Sequence, residues 1–305
     1  MQSRFRSDRR LTARMGLTLF LLGLLYVGFV AALIVLLKSW LLVVVLIGAM
    51  FVAQFWFSDR IAMFAMRGRV VEREEYPELH AVVDRLCAIA DMPKPVVAVS
   101  EMGMPNAFAT GRSPDHAVVC VTTGLLRRLE PAELEGVLAH ELSHVAHKDV
   151  AVITIASFLG VIAGLIVRFA FYSQLFGGRR DQNTAVVFAA VMGVSAAVYA
   201  ISFLLIRALS RYRELAADRA AAHLTGRPSA LASALTKVTG DIARIPTEDL
   251  RTAQAFNAFY FTPAAGREPG IERFFSTHPT LQQRLEQLGR ISAELGEAAT
   301  PGTAG

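Results

Sequence analysis

Four stretches of this chain, 17–37, 40–57, 150–167 and 184–206, contain no Asp, Glu, Lys or Arg. Each is long enough for a transmembrane helix, which needs about 20 apolar residues within a range of about 17–25. They also explain the low charge content. The whole chain is 19% charged, against about 25% for a soluble domain, and outside the four stretches the fraction returns to about that norm. The sequence therefore predicts a mainly α membrane protein with an ordinary soluble portion. Disorder, a collagen-like chain and a disulfide scaffold are excluded. Cys87 and Cys120 are too few for a framework and are expected as reduced thiols on a cytosolic face.

The net charge of +5 does not point to nucleic acid. Most of it sits in the first 16 residues, where Arg4, Arg6, Arg9, Arg10 and Arg14 face only Asp8. A short basic patch beside a span reads as an orientation signal, and no nucleic-acid partner is expected. The first apolar run exceeds the about 7–15 residues of a signal-peptide core, and no clear small-residue cleavage site closes it, so it is expected to stay as a span. Lys38 and Ser39 alone separate the first two spans, which makes them a tight hairpin. Arg168 is expected to snorkel beside an interfacial belt of Phe169, Phe171 and Tyr172.

Basic residues near the span ends give the orientation. On one side lie the five N-terminal Arg, then Arg60, Arg67, Arg69, Arg73, Lys148, Arg207, Arg211, Arg213 and Arg219. On the other lie Lys38, Arg168, Arg179 and Arg180. Positive-inside logic puts both termini and the long segments in the cytoplasm. The expected organisation is a basic segment and hairpin over 1–58 and a first half-domain over 59–149. A second hairpin follows over 150–206, then a second half-domain over 207–295 and a disordered tail over 296–305.

Within the soluble segments, Leu79, Val82, Val83, Leu86 and Ile89 predict a helix over 70–92, ended by Pro93 and Pro95. Val96–Ser100, 107–110 and Ala117–Thr122 are short strand candidates between Gly and Pro breakers and suggest a small antiparallel β-sheet. Glu130-Pro131, with Glu133 in the first turn, marks a helix start. Further helices are expected over about 207–224, 229–239 and 280–295. Residues 245–270 read as loop, and 245–277 as a candidate gate.

The sharpest chemical signal is His140-Glu141-Leu142-Ser143-His144. On a helix, positions i and i+4 share a face, so both imidazoles can reach one ion. Glu141 lies one residue on, near enough to hold and deprotonate a water. A catalytic zinc usually takes three protein ligands and keeps an open position. His147 would lie about 10 Å along the axis from His140 and is expected at the surface. The better third ligand is Glu214, with Asp218 on the same face to orient a ligand histidine through its free N–H. His144 lies six residues before the third span and Glu214 eight after the fourth, which is about 9 and 12 Å from the apolar boundary. The two groups thus stand at a similar height on the same side.

With these residues the chain resembles the HtpX-type membrane zinc metalloproteases, relatives of the CAAX prenyl endopeptidases. The resemblance rests on the four spans and on Asn106-Ala107-Phe108-Ala109-Thr110-Gly111. It extends to Val121-Thr122-Thr123-Gly124-Leu125-Leu126, the HELSH helix, the Arg-Glu…Ala-Asp helix and His278-Pro279. It implies one Zn2+ per chain on His140, His144 and Glu214, with Glu141 as general base and Asp218 behind a ligand. It implies that Asn106, Ala107, Phe108 and Ala109 form an edge that receives substrate in extended form, as unpaired backbone groups can. His278 is expected either to donate to the oxyanion or to be incidental to a helix capped by Thr277 or Thr280. Arg284 follows it, as in relatives. Thr280 stands where the family often has a second Pro.

The expected activity is metal-assisted peptide-bond hydrolysis in the cell membrane of a bacterium, with the site on the cytoplasmic side. The substrates would be membrane or misfolded proteins, in quality control or stress response. Three alternatives stand beside it: an intramembrane site-two-type protease, a prenyl-protein endopeptidase, and a non-catalytic scaffold with a structural metal. The charged residues flanking the motif count against the first. The apparent open metal position counts against the last.

Overall fold

The computed structural model describes residues 9–38, 40–149, 152–153, 156–158, 160, 162–167, 182–242 and 278–296. The expected gate over 245–277, the tail beyond Gly296 and the aromatic belt after Arg168 lie outside the described residues. The chain forms two compact units. One comprises residues 10–57 and 151–210, and the other 1–9, 58–150 and 211–305.

The first unit is helical. It contains α1 (Arg9–Leu37), the first part of α2 (Trp40–Ala65), the helical residues described between 152 and 167, and the first part of α6 (Gln182–Thr225). Leu22, Phe29, Leu33, Phe158, Ala163 and Val198 are buried together. Phe20, Leu24, Val27 and Val35 are left open. Gly160 and Gly164 let neighbouring side chains approach closely: a Cβ on Gly164 would stand 3.0 Å from the Tyr199 ring, the small-residue packing used between membrane helices. Among the described residues, Ala13–Leu36 and Ala185–Thr225 are long and apolar enough to cross a membrane. Val43–Ala53 and Ala156–Val167 are shorter apolar helices.

The second unit is built on a four-stranded sheet of β1 (Gly68–Val70), β2 (Val96–Ser100), β3 (Ala107–Gly111) and β4 (Ala117–Thr122), in the order β1-β2-β4-β3. The sheet is mixed, which corrects the antiparallel expectation. β1–β2 and β3–β4 are antiparallel, but β2 and β4 run parallel, with Ala98 opposite Cys120. The reason is topological. After β2 the chain passes outward to β3, and the β3–β4 hairpin returns β4 into the place beside β2. Gly111 closes this hairpin at φ +130°, where a Cβ would stand 2.2 Å from the His116 carbonyl oxygen, so only glycine fits.

The helix expected over 70–92 is shorter, because residues 68–70 form β1. It becomes α3 (Pro77–Ala90), started by Pro77 and Glu78 and stopped by Asp91 in the left-handed region. Leu79, Val83 and Leu86 face inward as expected, whereas Ile89 is exposed. Thr122 caps the short α4 (Thr123–Leu126). α5 (Pro131–Ala146) opens with a reciprocal box between Glu130 and Glu133. The fourth apolar stretch and the charged helix after it are one continuous α6, which ends before Gly226 (φ +66°). α7 (Pro228–Ile242) packs on α5, and α8 (Leu281–Leu295) packs on α7. Thr280 caps α8, so of the two threonines considered it is Thr280 that does so. Cys87 and Cys120 are free and buried in this core. Burial pushes their thiols up to about 11 and about 12, which keeps them protonated and inert.

Candidate metal centre

α5 is buried along its length from Gly136 to Val145, because it lies between the sheet and α7. That burial removes water from His140 and His144 and leaves their ring atoms to one another. The two Nε2 atoms are 3.2 Å apart, and the rings meet edge to face. Glu214, from α6, brings Oε1 to 3.4 Å from His144 Nε2 and Oε2 to 3.6 Å from His140 Nε2. One ligand atom from each of the three residues lies within 4.8 Å of the others.

The outer nitrogens decide what the inner ones can do. His140 Nδ1 is 3.0 Å from Asp218 Oδ1, and His144 Nδ1 is 2.7 Å from Asp149 Oδ2. A carboxylate oxygen only accepts, so each Nδ1–H donates, and a ring whose Nε2 proton is displaced by a bound cation turns a lone pair inward from Nε2. Two facing lone pairs and a carboxylate oxygen repel one another unless a cation lies among them. The donor set of two imidazoles and one carboxylate fits zinc.

Both carboxylates are themselves held by arginine. Arg284, 2% exposed, forks onto Asp218, with Nε 2.7 Å from Oδ2 and Nη2 2.6 Å from Oδ1. Arg213 Nε is 3.0 Å from Asp149 Oδ1. Burial disfavours the charged form of Asp149, yet Arg213 and His144 outweigh it and hold the carboxyl down to about 2. Burial likewise opposes a charged His144, but Asp149 and Glu214 raise the imidazole to about 10. His140 is raised in the same way, against its burial, by Asp218 and Glu214.

Glu141 is 4% exposed. Its carboxyl is raised, first by burial, and the backbone of Ala109 pulls in the opposite direction through a hydrogen bond. That contact places the edge strand beside the carboxylate. β3 is the outer strand at its end of the sheet, and Thr122 N–H donates across the ladder to Asn106 O. Backbone groups alternate along an antiparallel pair, so those of Phe108 and Thr110 face β4 while those of Ala107 and Ala109 face outward. Asn106, Ala107 and Phe108 are buried and Ala109 is half-buried. His278 places Nδ1 3.2 Å from Glu214 Oε2.

The structure thus brings together His140, Glu141, His144, Glu214, Asp218, His278 and Arg284, and sets the Asn106–Ala109 edge alongside. His147 is exposed and donates from Nδ1 to Ser143 O, away from the cluster. Sequence reasoning missed Asp149 and Arg213. Asp149 is five residues from His144, outside the i+4 rule, and reaches it only because Lys148 turns the chain at φ 55°. Arg213 directly precedes Glu214, which was its one available signal.

Residues 73–292 match the family model "Peptidase family M48". The chain is 87% identical over 304 residues to "Protease HtpX homolog 1" of Streptomyces coelicolor, covering 100% of both chains. It is 50% identical to "Protease HtpX homolog" of Moorella thermoacetica, covering 97% of this chain and 99% of that one. Among solved structures it resembles S. mikatae Ste24p, with a TM-score of 0.52 and 18% identity. That match covers 87% of this chain and 62% of the other, and shows a shared fold. By the match over most of its length and by its identity to these relatives, the chain belongs to peptidase family M48.

Proposed function

We propose that the protein is a membrane-integrated zinc endopeptidase. In this reading it hydrolyses membrane or misfolded proteins at the cytosolic face of the cell membrane, in protein quality control. The observation that carries the reading is the convergence of His140 Nε2, His144 Nε2 and a Glu214 oxygen beside the buried Glu141. The relatives' names as proteases support the peptidase class. The apolar helices Ala13–Leu36 and Ala185–Thr225 support a membrane setting, with both termini on the cytoplasmic side by the distribution of Arg and Lys.

His140, His144 and Glu214 would hold the ion, which when bound supplies Lewis-acid polarisation of the scissile carbonyl and a more acidic water. The chain's own residues do the rest. The Asn106–Ala109 edge takes an extended substrate segment through main-chain groups, so that many sequences are accepted. Glu141, its proton affinity raised by burial, accepts the proton of the attacking water and returns it to the leaving amine. Asp218 and Arg284 keep the His140 ring fixed. His278, beside Glu214, serves as donor to the developing oxyanion.

The test is hydrolysis of casein and of a farnesylated peptide by detergent-purified protein. The reading expects casein to be cut, a chelator to stop cutting and added zinc to restore it. Cleavage of the farnesylated peptide alone would move the assignment to a prenyl-protein endopeptidase. Undiminished cutting after complete removal of metal would overturn the metallopeptidase reading.

A further inference from the structure

We propose that Asp149, charged against Arg213, is the positioning residue that sets the tautomer of His144 and thereby makes it a metal ligand. The inference rests on the reading of His144 as a ligand.

The device begins in the backbone. α5 ends at Ala146, and Lys148 takes a left-handed conformation at φ 55°. Such a conformation is uncommon for a residue with a side chain. Its effect is to turn the next residue back over the last turn of the helix. Asp149, 3% exposed, thereby places Oδ2 2.7 Å from His144 Nδ1, across five residues rather than four. The other oxygen, Oδ1, faces Arg213 Nε at 3.0 Å. With both oxygens engaged and Nδ1–H donating, Nε2 is the nitrogen of His144 left to face His140 and Glu214 and to take a cation.

Arg213 makes the arrangement sensitive to an isosteric change. In Asp149→Asn, the guanidinium selects the amide oxygen, because the amide NH2 would face a cation. The NH2 then points at His144 Nδ1. The ring must accept at Nδ1 and carry its proton on Nε2, where it blocks the metal. An ion pair that only ties the end of α5 to α6 has no such consequence, and would be lost alike in any variant that lacks the carboxylate.

The experiment measures zinc affinity by competition with a chromophoric chelator. It uses full-length protein in detergent, with circular dichroism to confirm folding. Asp149→Asn is expected to weaken zinc binding by about 10–100-fold. Asp149→Asn combined with Arg213→Met is expected to recover most of that loss, because without the cation the amide can turn its oxygen to Nδ1–H. In zinc-loaded wild type, 15N shifts of the His144 ring are expected to show the proton on Nδ1, a readout that needs no variant. His144→Ala separates the two levels of the argument. If His144→Ala keeps wild-type affinity, the ligand reading itself fails. If His144→Ala loses zinc while Asp149→Asn binds normally, the positioning role is overturned. It is overturned equally if the double variant is weaker than the single one, or if the His144 proton is found on Nε2.

Discussion

At the scale of single residues, the site is governed by which buried charges are paired. Arg284 is 2% exposed and Asp218 is fully buried, and each is the other's main partner. Removing one member of a buried pair costs about 3–5 kcal/mol, because the other charge stays behind uncompensated. Arg284→Ala is therefore expected to lower the thermal midpoint sharply. Arg284→Lys should rescue little of it, since an ammonium cannot reproduce the fork on both Asp218 oxygens. Full rescue by lysine, measured as thermal unfolding in detergent, would show that charge alone matters. Two pairs at the centre of this site were legible in the sequence through one rule. Residues at i and i+4 on a helix share a face, which put His140 with His144 and Glu214 with Asp218. Asp149 escaped because its approach depends on the left-handed Lys148, and nothing in Lys148-Asp149 announces a positive φ. Arg213 looked like one more charge on a polar helix.

At the scale of elements, helix starts were readable and strand order was not. Glu130-Pro131 and Glu133 marked the start of α5, and the structure has the reciprocal capping box there. Glu133 goes further than its cap. Ser233 Oγ donates to its Oε1 at 2.6 Å, and Lys237 Nζ lies 2.7 Å away, so the same carboxylate ties α5 to α7. Burial resists the charge, but the Lys237 and Ser233 hydrogen bonds outweigh it and lower the carboxyl below its ordinary value. A depressed carboxyl stabilises fully above its unfolded value, about 4.3. That contribution is lost as pH falls through the folded value. Glu133→Gln is thus expected to cost about 1–3 kcal/mol at neutral pH, and the gap to wild type should narrow on acidification below about pH 4. A gap that is constant across that range would contradict the charged role. The parallel pairing of β2 with β4 could not be read, because strand order depends on where the β3–β4 hairpin folds back and not on any local pattern. The helix expected over 70–92 began too early for a related reason. Apolar spacing does not reveal that Gly68–Val70 pairs with β2.

At the scale of the whole molecule, the chain interleaves two chemistries. Charge-free segments supply one compact unit, and the segments between and after them supply the other, which carries the site. In the first unit Phe20, Val27 and Val35 are 67%, 70% and 73% exposed while Phe29 and Leu33 are buried, so apolar side chains lie both inside and outside. That is the surface expected where hydrocarbon is the solvent. In the second unit the residues of the site come from segments far apart in the sequence, α5, α6 and the turn before α8, so the site depends on the fold being complete.

The central claim is that His140, His144 and Glu214 hold a metal while Glu141 works on the substrate without holding it. The most direct measurement determines zinc per chain and casein cleavage on the same preparations of wild type and Glu141→Gln. The account predicts about one zinc in each, with cleavage in wild type and its loss in the variant. Cleavage retained in a zinc-loaded Glu141→Gln protein would contradict it.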